Sequence, residues 1–150
     1  MERIYIDENK RERERLRKLV KGITDGELSL VLYKEGWTIA VALAHLAFWD
    51  QRRLVLVRKW KQQGVSPSPI DEDVINDATL PFFLELPPRK AANMAVSIAE
   101  EIDRELVNLS PEITDAITSL GDHHVLNRSI HRKMHLDDIA NLLKISREKK

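Results

Sequence analysis

Gly36-Trp37-Thr38-Ile39-Ala40-Val41-Ala42-Leu43-Ala44-His45-Leu46-Ala47-Phe48-Trp49-Asp50 is the stretch on which the fold turns. It opens a run over residues 39–63 that contains neither Gly nor Pro and stops at Gly64. Thr38 suits an N-cap, because a hydroxyl oxygen there accepts from a first-turn amide that has no partner inside the helix. Trp37, just before it, is placed to staple the chain back on the first turn. Gly64 suits the position after the last turn, where a left-handed backbone ends a helix without Cβ strain. The pattern predicts one long helix over residues 39–63.

Working outward, helix formers dominate and turn residues cluster. Residues 8–22 are charge-rich, with Leu16, Val20 and Ile23 at helical spacing, and Thr24-Asp25-Gly26 reads as a turn. Residues 27–35 read as a short connecting stretch. On the other side, Gly64-Val65-Ser66-Pro67-Ser68-Pro69 excludes regular structure and opens a connection of about two dozen residues reaching Pro87-Pro88. Within it, Asp71-Glu72-Asp73 can start a short helix that Pro81 is expected to break. Pro88 suits the first turn of a helix to about residue 108, with Ala91, Ala95, Ile98, Ile102 and Leu106 as its apolar stripe. Ser110-Pro111-Glu112 starts a short helix, and Gly121-Asp122 introduces a final helix over residues 123–144 with a basic tail. The expected architecture is an all-α four-helix bundle. Its long crossover between the second and third long helices would let those two run parallel.

Composition narrows the function classes. The chain has 150 residues, 24 Lys+Arg against 24 Asp+Glu, 43% apolar residues and no Cys. That length is expected to form one domain over residues 1–150. A formal charge of zero argues against a nucleic-acid partner. The lack of Cys excludes thiolate metal sites, Cys nucleophiles and redox pairs. No apolar run approaches the ~18 residues of a membrane span. The charged start Met1-Glu2-Arg3-Ile4-Tyr5-Ile6-Asp7 does not read as a secretory signal, so a cytoplasmic location is expected. Lys10-Arg11-Glu12-Arg13-Glu14-Arg15 reads as a solvated helix face. Trp49, Trp60, Phe82 and Phe83 read as core or pocket wall.

The histidines carry the chemistry. At about 100° per residue along the final helix, His124, Arg128, His131, His135, Asp138 and Leu142 fall on one arc. Ser129, Lys133, Asp137 and Lys144 lie opposite, with Arg132 at the margin. In the long helix, His45 shares an arc with Val41, Ala42, Trp49 and Leu56, and Arg52 follows on it, whereas Asp50, Gln51 and Arg58 lie opposite. Charged residues normally mark the wet face, so imidazoles on two helices should point inward. His131 and His135, four apart, bring two ring nitrogens to one point, and His45 can close a triad from across the bundle. Imidazole suits zinc, nickel, iron or copper, and three protein ligands leave a coordination position open, the catalytic pattern. Two plainer readings stand beside this. A His-x-x-x-His pair arises by chance in helical chains, and a lone His45 on an apolar face can be a hydrogen-bonded core residue. Arg132 stands where H-E-x-x-H needs its Glu, which disfavours a metalloprotease. Trp49, Arg52, His124 and Arg128 are the candidate pocket residues.

The Gly36-Trp37-Thr38 start, the Ala44-His45-Leu46 centre and the following Trp49-Asp50 resemble the second-helix signature of the DinB-like superfamily, which includes mycothiol-dependent maleylpyruvate isomerases. His131-Arg132-Lys133-Met134-His135-Leu136-Asp137-Asp138-Ile139 is similar to its fourth helix, and Leu86-Pro87-Pro88 fits the pattern before its third. The resemblance covers about residues 15–143. It implies a bundle with a long crossover, a divalent metal (zinc or nickel, with iron also open) on His45, His131 and His135, and a homodimer. Relatives of this kind include thiol S-transferases that use mycothiol or bacillithiol. The resemblance assigns no acid, base or thiol-binding residue. The first expectation is therefore a metal-dependent thiol S-transferase, or a related lyase or isomerase, in which a thiol is activated as thiolate for attack on an electrophile. The alternatives are a non-catalytic, stress-related bundle that binds a metal or small molecule, and a metal-dependent hydrolase with Asp138 as base.

Overall fold

The computed structural model describes residues 3–149; Met1 and Glu2 of the charged start and Lys150 of the basic tail lie outside the described residues. The chain is helical apart from one small hairpin. In order it forms α1 (Ile4–Gly22), α2 (Asp25–Leu28), β1 (Val31–Tyr33), β2 (Trp37–Thr38), α3 (Ile39–Gln63), α4 (Glu72–Glu85), α5 (Pro88–Val107), α6 (Pro111–Ser119), α7 (His123–Leu126) and α8 (Ser129–Glu148). The four long helices α1, α3, α5 and α8 form the bundle. Around its axis α1 packs on α5 and α8, and α3 packs on α5 and α8.

Two apolar zones fill the bundle. One gathers Leu16 and Val20, Leu43 and Leu46, Ala92, Ala95 and Ala99, and Leu136 and Ile139. The other gathers Tyr5, Leu54, Val57 and Trp60, Ile102 and Leu106, and Ile117, Val125 and Leu126. Along the chain, α3 and α5 both pass from the first zone to the second, whereas α1 and the α7–α8 segment pass from the second to the first. The two helices flanking the crossover therefore run in the same direction, as a long connection permits.

Between the zones lies a buried layer of charge. Arg132, 1% exposed, donates to both carboxylate oxygens of Asp103 and to Asp50. Arg128 donates to Asp50 at 2.8 Å, and Arg13 reaches Asp103. Buried charges persist only when paired and hydrogen-bonded. Each of the four bundle helices thus contributes a charged residue to this layer, with Arg128 at the start of α8.

Several expectations from the sequence are corrected. Asp50, Arg132 and Ser129, assigned to wet faces, are buried, because their partners lie on other helices. Glu12 of the alternating charge run is also buried, and Arg13 turns into the charged layer. Phe82, assigned to core or pocket wall, is 74% exposed. The first helix begins at Ile4 rather than Glu8. Thr24-Asp25-Gly26 is a short capped helix instead of a turn, since Thr24 and Glu27 satisfy each other's backbone amides. Residues 27–35 include strand β1, paired antiparallel with β2 through a turn in which Glu35 and Gly36 take φ of 68° and 85°. Pro81 lies inside α4 without ending it. Pro81 and Asp77 are both exposed, so the carbonyl that loses its partner can be hydrated.

The predicted final helix is broken. Asn127, with φ −95° and ψ 92°, separates α7 from α8. Asn9 of α1 bridges the gap, donating to the Leu126 carbonyl and accepting from the Ser129 amide at 2.9 Å each. The side chain thereby replaces ladder hydrogen bonds that the break removes.

Candidate metal centre

The long helix forms where its sequence places it. The Thr38 hydroxyl accepts from the Val41 amide at 3.1 Å, a cap of the kind that contributes about 1 kcal/mol. Gly64 closes the other end with φ 92°. This fixes His45 two turns into α3, facing the bundle interior at 5% exposure. The i, i+4 spacing on α8 stacks His131 and His135 on one face. One ring nitrogen from each of His45, His131 and His135 lies within 4.8 Å of the others, so the three could hold a metal ion. Their ring centroids are separated by 4.8–4.9 Å.

The electrostatics favour lone pairs over protons. Burial, with His135 nearby, lowers the pKa of His45 to about 3. Burial, with His45, His135, Arg128 and His124 nearby, lowers that of His131 to about 2. Burial also lowers His135, against the opposing charge of Asp138. All three imidazoles are neutral at pH 7, the form that ligates a metal. The donor set fits an ion in one further respect. His45 Nδ1 and His135 Nε2 are buried with no hydrogen-bond partner among the described residues, and such orphaned buried atoms are uncommon.

The triad opens on a cavity of about 700 Å³. Trp37, Trp49 and Met134 supply apolar wall, and Lys34, Arg53 and Arg128 supply cationic groups. Trp37 packs edge-on against His45 at 5.0 Å. Trp49 donates its indole N–H to Asn76 at 3.0 Å, which ties α4 to the cavity rim. Of the pocket residues proposed from sequence, Trp49, His124 and Arg128 line this cavity. The helix break leaves His124 and Arg128 there, with Arg128 donating to the His124 carbonyl. Arg52 turns instead to the crossover, where it donates to the Ser68 hydroxyl at 2.9 Å. Its neighbour Arg53, absent from the sequence reading, lines the cavity and pairs with Asp122 at 3.1 Å. Tyr33, Lys34, Glu72 and Asn76 were also missed. They come from the hairpin and from α4, where helical periodicity on α3 and α8 carries no information.

Comparison with known proteins places this geometry in a family. The sequence profile of the DinB superfamily matches residues 8–143, and the chain belongs to that superfamily. No curated protein and no solved structure matches the chain.

Proposed function

We propose that this DinB-superfamily chain is a divalent-metal-dependent enzyme, a low-molecular-weight thiol S-transferase or a related isomerase or lyase. In this reading zinc or nickel, or iron, is held by His45, His131 and His135, and bacillithiol or mycothiol is the co-substrate. Residues 1–150 act as one cytoplasmic domain that pairs as a homodimer. One observation carries the reading: three neutral imidazoles, His45 and His135 buried and His131 half-buried, converge at the wall of a cavity large enough for a small-molecule substrate. Exposed Val74, Phe82 and Leu84 on α4 support a pairing surface.

A divalent ion, when bound, supplies Lewis acidity and lowers the pKa of a coordinated thiol, so that thiolate is available near neutral pH. The chain's own residues do the rest. Lys34 gives the cavity an exposed cationic group suited to a carboxylate on the thiol or on the electrophile, while Arg53 and Arg128 are paired with Asp122 and Asp50. Trp37, Trp49 and Met134 cover the reacting region with apolar surface and exclude water.

Elemental analysis of untagged protein tests the metal assignment, and a His45→Ala/His131→Ala double variant with undiminished metal content would sink it. Incubating metal-loaded protein with bacillithiol, mycothiol or glutathione and a panel of electrophiles tests the transfer. A second reading, metal or small-molecule binding without catalysis, draws on a specific feature: the carboxylate beside the triad is engaged elsewhere. Asp138 accepts the Tyr33 hydroxyl. That engagement also weighs against Asp138 as the base of a hydrolase. Metal binding with no turnover in the same assay favours the non-catalytic reading.

A further inference from the structure

The three imidazoles differ in what stands behind them. His45 and His131 approach each other Nε2 to Nε2 at 2.9 Å. His135 alone of the three meets a polar side chain outside the triad among the described residues: its Nδ1 lies 2.9 Å from the Tyr33 hydroxyl. That hydroxyl in turn donates to Asp138 Oδ2. A phenol has one proton to give. With that proton on the side of Asp138, the Tyr33 oxygen can only accept, so the proton between Tyr33 and His135 belongs to His135 Nδ1. Neutral His135 then carries its lone pair on Nε2, the buried atom with no partner. The opposite assignment sets the phenol oxygen against a carboxylate oxygen with no proton between them.

The hairpin makes this contact possible. Tyr33 and Trp37 are paired across β1 and β2, and their rings meet at 6.0 Å. Tyr33 packs against His135 at 5.8 Å, and Trp37 against His45 at 5.0 Å. One two-stranded element therefore backs an imidazole on each of two helices.

We propose that Tyr33 and Asp138 are positioning residues that lock His135 in the Nδ1–H tautomer and present its Nε2 lone pair to the triad, so that the β1–β2 hairpin is a working part of the metal centre. The consequence for metal affinity rests on the metal reading given above; the tautomer does not. Partners behind a ligating histidine set its tautomer and orientation, and removing them commonly costs about 10–100-fold in metal affinity.

The test uses the full chain, isotopically labelled and treated with chelator, with ring-nitrogen NMR to assign the His135 tautomer. Zinc affinity is then measured by competition with a chromophoric chelator. Wild-type His135 is expected as Nδ1–H. Tyr33→Phe, which removes only a hydroxyl, should lose that preference and bind zinc about 10–100-fold more weakly at an unchanged thermal midpoint. Asp138→Asn keeps an acceptor oxygen for Tyr33 and should retain the tautomer, whereas Asp138→Ala should behave as Tyr33→Phe. An Nε2–H His135 in the wild type overturns the proposal, as does a Tyr33→Phe protein with unchanged tautomer and zinc affinity. Wild-type protein that binds no zinc, yet shows the Nδ1–H form lost in Tyr33→Phe, overturns the metal reading and supports the lock.

Discussion

Asp50 accepts from two buried guanidinium groups, those of Arg128 and Arg132, and each has a different second partner. Arg132 keeps both oxygens of Asp103 if Asp50 is removed, while Arg128 keeps only the His124 carbonyl. Asp50→Ala therefore leaves Arg128 as an under-compensated buried cation. Breaking a buried pair from one side costs about 3–5 kcal/mol, more than the pair itself contributes to stability. The expected result is a fall of that size in urea-unfolding free energy at pH 7. A loss below about 1 kcal/mol, the range of an exposed ion pair, would contradict the buried layer. Asp50 and Arg132 also mark where single-residue reading stops. A charge on a helical arc looks solvated when the helix is considered alone, and its burial is decided by partners on other helices, Arg132 and Arg128 for Asp50, and Asp103 and Asp50 for Arg132. His45, His131 and His135 were legible because neutral imidazole can line an interior: apolar neighbours on its arc gave the direction of His45, and Lys133, Asp137 and Lys144 on the opposite side gave that of His131 and His135.

Glu27 does two jobs at the end of α2, closing a capping box with Thr24 and receiving Arg147 from the last turn of α8. These contacts, Arg147 first and the Thr24 amide second, lower its pKa from 4.5 to about 2. A depressed carboxylate contributes stability that is fully present above the unfolded value of about 4.5 and is lost as pH falls toward about 2. Wild type should thus exceed Glu27→Gln by up to about 1 kcal/mol at pH 7, because Gln keeps an acceptor for the Thr24 amide and the loss is confined to the charge-assisted part of these contacts, to which half-exposed Arg147 adds modestly. Urea-unfolding midpoints across this range should show the difference closing toward pH 2; a constant gap would mean that Glu27 acts through shape rather than charge. A second element-level test concerns the α7–α8 break, where Asn9→Ala strips the Leu126 carbonyl and the Ser129 amide of one partner each. The Ser129 amide keeps Asn127 Oδ1 at 3.1 Å, so the cost falls on the Leu126 carbonyl; a buried backbone group left unsatisfied costs about 1–3 kcal/mol, readable by the same unfolding measurement. The break itself was not legible. Residues 123–144 keep helical spacing through it, and the device that tolerates the interruption, Asn9, lies over a hundred positions earlier in the chain. The starts of α3, α5 and α6 were legible because each carries a local signal: Thr38, Pro88 and Ser110-Pro111.

At the scale of the whole molecule, the crossover containing α4 lets α3 and α5 run parallel, and the α3–α8 contact sets His45 against His131 and His135. The long helices and their connection lengths sufficed to expect this arrangement. The hairpin wall did not follow from the same reasoning, since three-residue and two-residue strands leave almost no periodicity to read. A site assembled from two separate helices binds metal only in the folded state, so zinc should raise stability by mass action, about 2.7 kcal/mol at a hundredfold excess over the dissociation constant. The pH dependence separates this site from a surface His pair. Exposed imidazoles take up protons through about pH 6.5, and zinc protection at such a pair fades over that range. Here His45 and His131 titrate near pH 3 and 2, so protons compete little with zinc in the folded protein at mildly acid pH. The zinc-induced rise in thermal midpoint should therefore persist between about pH 7 and pH 5.5, even as the unliganded chain weakens. That weakening has a defined sign: a histidine whose folded pKa is depressed contributes stability above the unfolded value of about 6.5 that is progressively lost as pH falls toward the folded value. His45→Ala/His131→Ala should abolish the zinc shift at every pH. A shift that survives the double variant, or one that disappears in step with ordinary imidazole protonation, would place the bound zinc on the surface and away from the buried triad.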